Sequence, residues 1–208
     1  MENLQTVQAP PATAAVAPAI NFKRLSRWRV RVTAVAVVIS IAWLIAVRHQ
    51  PRDLTAYTDP VVVTSLVTLL LGVATRSWAA SLVRKRLVLA TSGAYSLCRH
   101  PLYLGSILMV IGFCGLVGNP VVGALLCGVV ITTISVAIKA EEQFLSDSFG
   151  DAWDDYKRRV PRLVPCAFPH SLGEITFQRW RENREARVWL AAALGLAAIA
   201  FWLHGPRF

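Results

Sequence analysis

The residues of this 208-residue chain that could do chemistry stand at the two ends of a predicted helical hairpin. His100 and Tyr103 lie at the start of one apolar stretch, and Glu141 and Glu142 follow the next one. Because only residues 118–120 (Gly-Asn-Pro) separate the two stretches, they must form a tight antiparallel pair. Residues equally far from that turn lie at similar depth, to within about one helical turn. The spacing therefore predicts that these four side chains converge at the mouth of the hairpin.

The predicted cluster suits a ligand that carries both signs of charge. A helix that begins at Pro101 presents free backbone N–H groups and the positive end of its dipole, which favour a ligand carboxylate. A glutamate near membrane depth, such as Glu141, favours a ligand ammonium or sulfonium. Gly105, one turn into the helix, permits close backbone approach. A zwitterionic cation such as S-adenosylmethionine meets both requirements.

Each of these residues also fits a plain structural role when it is taken alone. Arg99 and His100 can anchor a helix at the membrane interface, and Tyr103 can belong to an aromatic belt. The two consecutive glutamates can form a solvated helix face. The functional interpretation rests on their convergence.

Composition places the chain among membrane proteins. It is 55% hydrophobic and 16% charged, whereas a soluble domain carries about a quarter charged residues. The net charge is +10, but Lys and Arg fill the gaps between apolar blocks, which favours membrane lipids over nucleic acid as the partner. The cysteines form no CxxC pair and have no His at metal-ligand spacing, so no disulfide framework or metal site is predicted; they are Cys98, Cys114, Cys127 and Cys166.

We predict an all-α integral membrane bundle with about five transmembrane helices. Residues 1–22 are expected to be a disordered tail, 23–90 the N-terminal spans, 91–165 the catalytic core and 166–208 a C-terminal segment. The apolar blocks are residues 32–47, 61–82, 101–117, 121–138 and 188–203; the first and last are slightly short of the roughly 20 residues that span a bilayer. The charged stretch 174–187 is expected to be helical.

The distribution of Lys and Arg predicts the topology. The N-terminal flank, the loop that ends at residue 100 and the region after residue 140 carry most of them. By the positive-inside rule these segments share the cytoplasmic side. The site is therefore expected on the cytoplasmic face, and the small size of the chain suggests a bacterial inner membrane.

Two sequence signatures flank the hairpin. The first is Thr-Ser-Gly-Ala-Tyr at residues 91–95, followed by Arg-His-Pro-Leu-Tyr-Leu-Gly at 99–105. The second begins with Glu141-Glu142, continues through Leu, Phe-Gly, Trp and Tyr at helical spacing, and ends with Arg-Val-Pro-Arg-Leu-Val-Pro at 159–165. In this order the two signatures resemble those of the isoprenylcysteine carboxyl methyltransferase and phospholipid methyltransferase superfamily.

The resemblance implies a membrane-embedded, S-adenosylmethionine-dependent enzyme, with residues 160–165 as a lid over the cofactor. The implied cofactor contacts are Tyr95, His100, Pro101, Leu102, Tyr103 and Glu141, with the backbone of Leu87, Val88, Leu89 and Ala90 along the adenosine. Arg99, Gly105 and Glu142 are implied as support. If the methyl acceptor is an amine, Glu142 or His100 could take its proton.

One position departs from the superfamily pattern. In the isoprenylcysteine enzymes an arginine four residues before the cofactor-binding glutamate contacts the substrate carboxylate, and Ala137 stands there in this chain, with Lys139 nearby. The departure argues against a carboxylate acceptor, and especially against prenylated cysteine. A lipid or other carboxylate, an amine and a small thiol all remain open.

Two other functions are also consistent with the helical core. The first is a membrane reductase that uses a nicotinamide cofactor, and the second is a membrane protein that performs no chemistry. The former is expected to have more spans than this chain offers. The latter has no need for His100, Tyr103 and Glu141 together.

Overall fold

The computed structural model describes residues 22–83, 88–165 and 171–204, which contain eight α-helices. The expected tail, apart from Phe22, and Leu87 lie outside the described residues. The helices are α1 (Phe22–Ala46), α2 (Pro60–Leu82), α3 (Ala94–Leu97), α4 (Pro101–Val117), α5 (Pro120–Phe149), α6 (Asp151–Arg159), α7 (Phe177–Glu182) and α8 (Ala186–His204).

Four of the described helices, α1, α2, α5 and α8, are long and apolar enough to cross a membrane. Helix α4 is apolar but has 17 residues, or about 26 Å at the usual rise, slightly less than the roughly 30 Å hydrocarbon core. Large apolar side chains point outward, among them Val38, Leu70 and Phe201, which are 66%, 61% and 71% exposed. The prediction of an all-helical membrane bundle is confirmed.

The turn between α4 and α5 has the tight geometry that its sequence predicts. Gly118 adopts a left-handed conformation, with φ of 71°, which glycine reaches without steric cost. The Asn119 side chain then caps α5 by accepting from the backbone N–H groups of Val121 and Val122, and Pro120 takes the first helical position.

Three helical regions differ in extent from the stretches described in the sequence. Helix α5 continues beyond the apolar block that ends at residue 138 and runs to Phe149, because no helix breaker precedes Gly150. Helix α1 starts ten residues before the apolar block at 32, since its basic first turns continue the same helix. The stretch 174–187 is helical only in α7 and at the start of α8, because Arg184 has φ of 60° between them.

Helix α4 packs most extensively on α2 rather than on its hairpin partner α5. Glycines permit this close approach. A Cβ atom built on Gly105 would lie 2.6 Å from the carbonyl oxygen of Gly72, and one on Gly112 would lie 2.7 Å from that of Ser65. Small residues at such a spacing let two membrane helices bring their backbones together.

A buried ion pair attaches the C-terminal helix to this α2–α4 unit. Arg76 on α2 forms two bonds to Glu185, with Nη2–Oε1 at 2.9 Å and Nε–Oε2 at 3.2 Å. Its Nη1 also donates to the Oγ atom of Ser106 on α4 at 2.5 Å. Glu185, which is 2% exposed, directly precedes α8. The guanidinium therefore joins three helices at one buried point.

Replacing Gly105 with alanine should destabilise the protein by about 1–3 kcal/mol, the usual cost of overpacking a rigid contact. Gly128→Ala is the matched control, because a Cβ there meets nothing within 4 Å and alanine is the better helix former. Thermal unfolding in detergent measures both. Equal midpoints for the two variants would contradict the glycine contact.

Candidate active site

The side chain of Glu142 joins three separate segments of the chain. Its Oε1 atom lies 2.9 Å from Nη1 of Arg99 and 3.2 Å from Nε2 of His100. Nε of Arg162 donates to the same oxygen at 3.1 Å, and Nη2 of Arg162 donates to Oε2. The carboxylate, on α5, thus holds the start of α4 and the segment after α6. We call Glu142, Arg99, His100 and Arg162 the Glu142 cluster.

His100 lies between the two consecutive glutamates. It is 3% exposed, and its Nδ1 atom is 4.0 Å from Oε2 of Glu141 while Nε2 faces Glu142. Burial lowers the pKa of His100, although the carboxylates of Glu141 and Glu142 act in the opposite direction. The imidazole is therefore neutral near pH 7 and has one N–H to donate; the 3.2 Å distance makes Glu142 its hydrogen-bond partner.

The segment 160–165 folds back onto the start of α4, and the lid that the resemblance implies stays a prediction. The N–H of Arg99 donates to the carbonyl of Pro161 at 2.8 Å, and the N–H of His100 to that of Arg162 at 3.2 Å. Leu163 packs beside Val130 and neighbouring α5 residues. The segment therefore fixes the start of α4 and lines no part of the cavity described below.

A cavity of about 310 Å³ opens beside the Glu142 cluster, which is within the range of small-molecule sites. Its walls come from the beginning of α1, the segment after α2, α3, the start of α4, the end of α5, and α6. The lining residues are Leu25, Ser26, Arg29, Val83, Val88, Leu89, Ala90, Tyr95, Arg99, Leu102, Tyr103, Ala137, Glu141, Phe144, Leu145, Phe149, Trp153 and Tyr156.

The aromatic wall of the cavity is held by internal contacts. Tyr156 is buried and donates its hydroxyl to the carbonyl of Tyr95 at 2.7 Å, and burial raises the pKa of both phenols. Trp153 is 1% exposed, and the Arg99 guanidinium lies 5.7 Å from its ring centroid. This wall is thus rigid, neutral and largely closed to water.

Charged groups of both signs reach the cavity. Glu141 enters from α5, Arg29 enters from α1, and Arg99 contributes a guanidinium that is paired with Glu142. Arg29 lies over the ring of Tyr103, with Cζ 5.0 Å from the centroid and Nη1 3.5 Å from the hydroxyl. The cavity can therefore hold a ligand that is itself zwitterionic and partly aromatic.

Comparison with known proteins identifies the family of the chain. The family model for phospholipid methyltransferases matches residues 61–152. A nickel-cobalt-cadmium resistance protein of Alcaligenes xylosoxydans is 30% identical over 74% of this chain and 72% of its own length. A cobalt-zinc-cadmium resistance protein of Cupriavidus metallidurans is 31% identical over 86% and 82%.

A third relative carries the catalytic class in its name. It is a protein-S-isoprenylcysteine O-methyltransferase of Schizosaccharomyces pombe, 36% identical over 38% of this chain and 33% of that protein. The chain belongs to the isoprenylcysteine carboxyl methyltransferase and phospholipid methyltransferase superfamily. It is a membrane-embedded methyltransferase. No solved structure matches it. Within the described residues, no three His, Cys, Asp or Glu side chains are grouped so that they could hold a metal ion.

The structure divides the predicted site residues of the methyltransferase into two groups. Those that line the cavity are Val88, Leu89, Ala90, Tyr95, Arg99, Leu102, Tyr103 and Glu141. Those that do not line it are His100, Pro101, Gly105 and Glu142. Pro101 and His100 are buried beneath the first turn of α4, Glu142 turns toward Arg162, and Gly105 faces α2. Their contacts with a ligand stay predictions.

Several lining residues of the methyltransferase were missed from the sequence. Phe144, Leu145, Phe149, Trp153 and Tyr156 show helical spacing, but spacing alone does not show that they face the cavity. No sequence pattern marked Leu25, Ser26 or Arg29 as lining residues. Arg29 is one of several arginines in a basic flank and does not stand out among them.

Replacing Glu142 with alanine should release the segment 160–165. Hydrogen bonds to a charged group contribute about 1.5–3 kcal/mol, so local opening should become more than roughly tenfold more frequent. Trypsin should then cleave after Arg159 or Arg162 correspondingly faster, as followed by mass spectrometry. Asp147→Ala, an exposed acidic position on α5, is the control. Equal cleavage rates in the two variants would show that the Glu142 cluster does not hold the segment.

Proposed function

We propose that this methyltransferase binds S-adenosylmethionine in the cavity and transfers its methyl group to a lipophilic or small acceptor. The observation that carries the proposal is the Glu141 carboxylate, which faces an aromatic cavity and pairs with no Lys or Arg of the described residues. A sulfonium ligand supplies the missing positive charge.

Among the described residues, the Glu141 carboxylate is 42% exposed, forms no ion pair with a Lys or Arg side chain, and hydrogen-bonds the neutral hydroxyl of Tyr103. Its one ion-pair contact is with Nδ1 of His100, at 4.0 Å, and burial keeps that imidazole neutral. The nearby guanidinium of Arg99 is already paired with Glu142. A carboxylate held beside apolar walls attracts a cation more strongly than one in water.

The remaining lining residues fit the other parts of the cofactor. Val88, Leu89 and Ala90 offer backbone and apolar surface for an adenosine, and Tyr95 and Tyr103 offer aromatic faces. His100 acts as a positioning residue, since it touches both glutamates but does not reach the cavity. Glu142 holds the same region together from the opposite side.

The cofactor supplies an already activated methyl group, so the protein's part is to bind, align and exclude water. A carboxylate or thiolate acceptor needs no general base. An amine acceptor must lose a proton, and Glu141, rather than Glu142 or His100, is the carboxylate that faces the cavity.

We propose that the acceptor reaches the cavity from the bilayer, beside α1. Helix α1 packs mainly on α5, and both helices contribute to the cavity wall. Two relatives are named for resistance to nickel, cobalt, zinc and cadmium. Thiols bind such metals. A methyltransferase that acts on a lipid or on a thiol could therefore take part in metal resistance.

We place the cavity on the cytoplasmic face of a bacterial inner membrane. The arginines at the start of α1 and those of α6 stand near the cavity, at the end of the bundle where α4 begins and α5 ends. The loop at the other end, between α1 and α2, carries only Arg48 and Arg52. This asymmetry follows the positive-inside rule.

Isothermal titration in detergent tests which cofactor the protein binds. The wild type should bind S-adenosylhomocysteine and not NADPH. Glu141→Gln should weaken the binding of S-adenosylmethionine roughly tenfold or more, because it removes the carboxylate that faces the sulfonium. Asp147→Asn, on the exposed side of the same helix, should bind like the wild type. Binding of NADPH instead would indicate a reductase, and binding of neither a non-catalytic protein.

A further inference from the structure

Arg29 is a partly buried cation in the wall of the cavity. It lies on α1, a helix that is long and apolar enough to cross the membrane, and its side chain lines the cavity. Its Nε atom is buried and has no hydrogen-bond partner among the described residues. Ionisable residues placed in this way in membrane helices usually serve a ligand or a partner.

The contacts of Arg29 leave its strongest binding capacity unused. A guanidinium carries five N–H donors in a fork that matches a carboxylate. Here Nη1 reaches the Tyr103 hydroxyl at 3.5 Å, the outer limit of a hydrogen bond. The tyrosine ring beneath, 5.0 Å from Cζ, orients the plane of the guanidinium but accepts no N–H bond in that plane.

The charges of the other lining residues single out Arg29. Arg99, the second cation of the cavity wall, is paired with Glu142 at 2.9 Å. Across the described part of the chain, Arg29 has no such carboxylate partner within 4.0 Å. Ala137, on the α5 side of the cavity, adds no charge. Nε and Nη1 of Arg99 also have no aligned hydrogen-bond acceptor, but among the described lining residues Arg29 is the cation whose charge has no carboxylate within 4.0 Å.

We propose that Arg29 binds a carboxylate of the ligand through its guanidinium fork. The inference rests on the proposed function and extends it to the anionic half of the site. The carboxylate can come from the amino-acid end of S-adenosylmethionine or from an acidic methyl acceptor. In both cases Arg29 acts as a binding residue that orients the ligand between α1 and α5.

The test compares Arg29→Gln and Arg29→Lys with Arg31→Gln, a matched control at an exposed position of α1 outside the cavity. Titration with S-adenosylhomocysteine and with 5′-methylthioadenosine, which lacks the amino-acid end, probes the cofactor carboxylate. Titration of the S-adenosylhomocysteine-saturated protein with octanoate and with octanol probes an acceptor carboxylate. Thermal midpoints in detergent show whether each variant is folded.

The first supporting result is a roughly 10- to 100-fold loss of S-adenosylhomocysteine affinity in Arg29→Gln, with 5′-methylthioadenosine unchanged; it assigns the cofactor carboxylate. The second is an unchanged S-adenosylhomocysteine affinity with a similar loss for octanoate but not octanol; it assigns the acceptor. Arg29→Lys should keep part of the affinity in either case, because the charge remains and the fork is lost. If Arg29→Gln does not fold, Arg29→Lys replaces it in the test. A loss of affinity in Arg29→Lys that is confined to the ligands with a carboxylate then supports the role of Arg29.

Equal affinities of the Arg29 variants and Arg31→Gln for all four probes would overturn the role of Arg29 and leave the proposed function standing. A wild type that does not bind S-adenosylhomocysteine would overturn both. The two failures are therefore distinguishable in one set of titrations.

Discussion

The site depends on the carboxylate of Glu142. One oxygen of that group faces Arg99, His100 and Arg162 together, and the group is 11% exposed. Charges buried to this degree are tolerated only when they are paired, and the removal of one partner leaves the others uncompensated. The start of α4, the end of α5 and the segment after α6 are consequently fixed relative to one another. The cavity opens beside this fixed point.

The two adjacent glutamates have different roles: Glu142 holds the structure together, and Glu141 is available to a ligand. Consecutive residues on a helix point about 100° apart, so when Glu142 turns toward Arg162, Glu141 faces the cavity. His100 contacts both and stays neutral because it is buried. The cluster is thus able to hold α4 in place without cancelling the negative charge that the cavity presents.

The sequence was sufficient to predict the features that depend on local order. The Gly118–Pro120 turn predicted the hairpin, and equal spacing from that turn predicted that His100 lies near Glu141 and Glu142. Spacing could not show which glutamate faces the cavity, because helix rotation is set by packing. Spacing also could not show that Gly105 contacts Gly72, because Gly72 lies on another helix. Arg29 was missed for the same reason, since only the packing of α1 on α5 carries it to the cavity.

The separation of Arg29 and Glu141 explains why the cavity suits a zwitterion. They enter from α1 and α5, and no ion pair joins them in the part of the chain that the structure describes. Direct pairing would satisfy both charges and leave a neutral cavity. The Tyr103 hydroxyl lies between them and hydrogen-bonds both, and because this hydroxyl is neutral each group retains its capacity for an opposite charge. A ligand with a cation and an anion at a matching distance completes both pairs at once, whereas a ligand with a single charge leaves the other group unpaired.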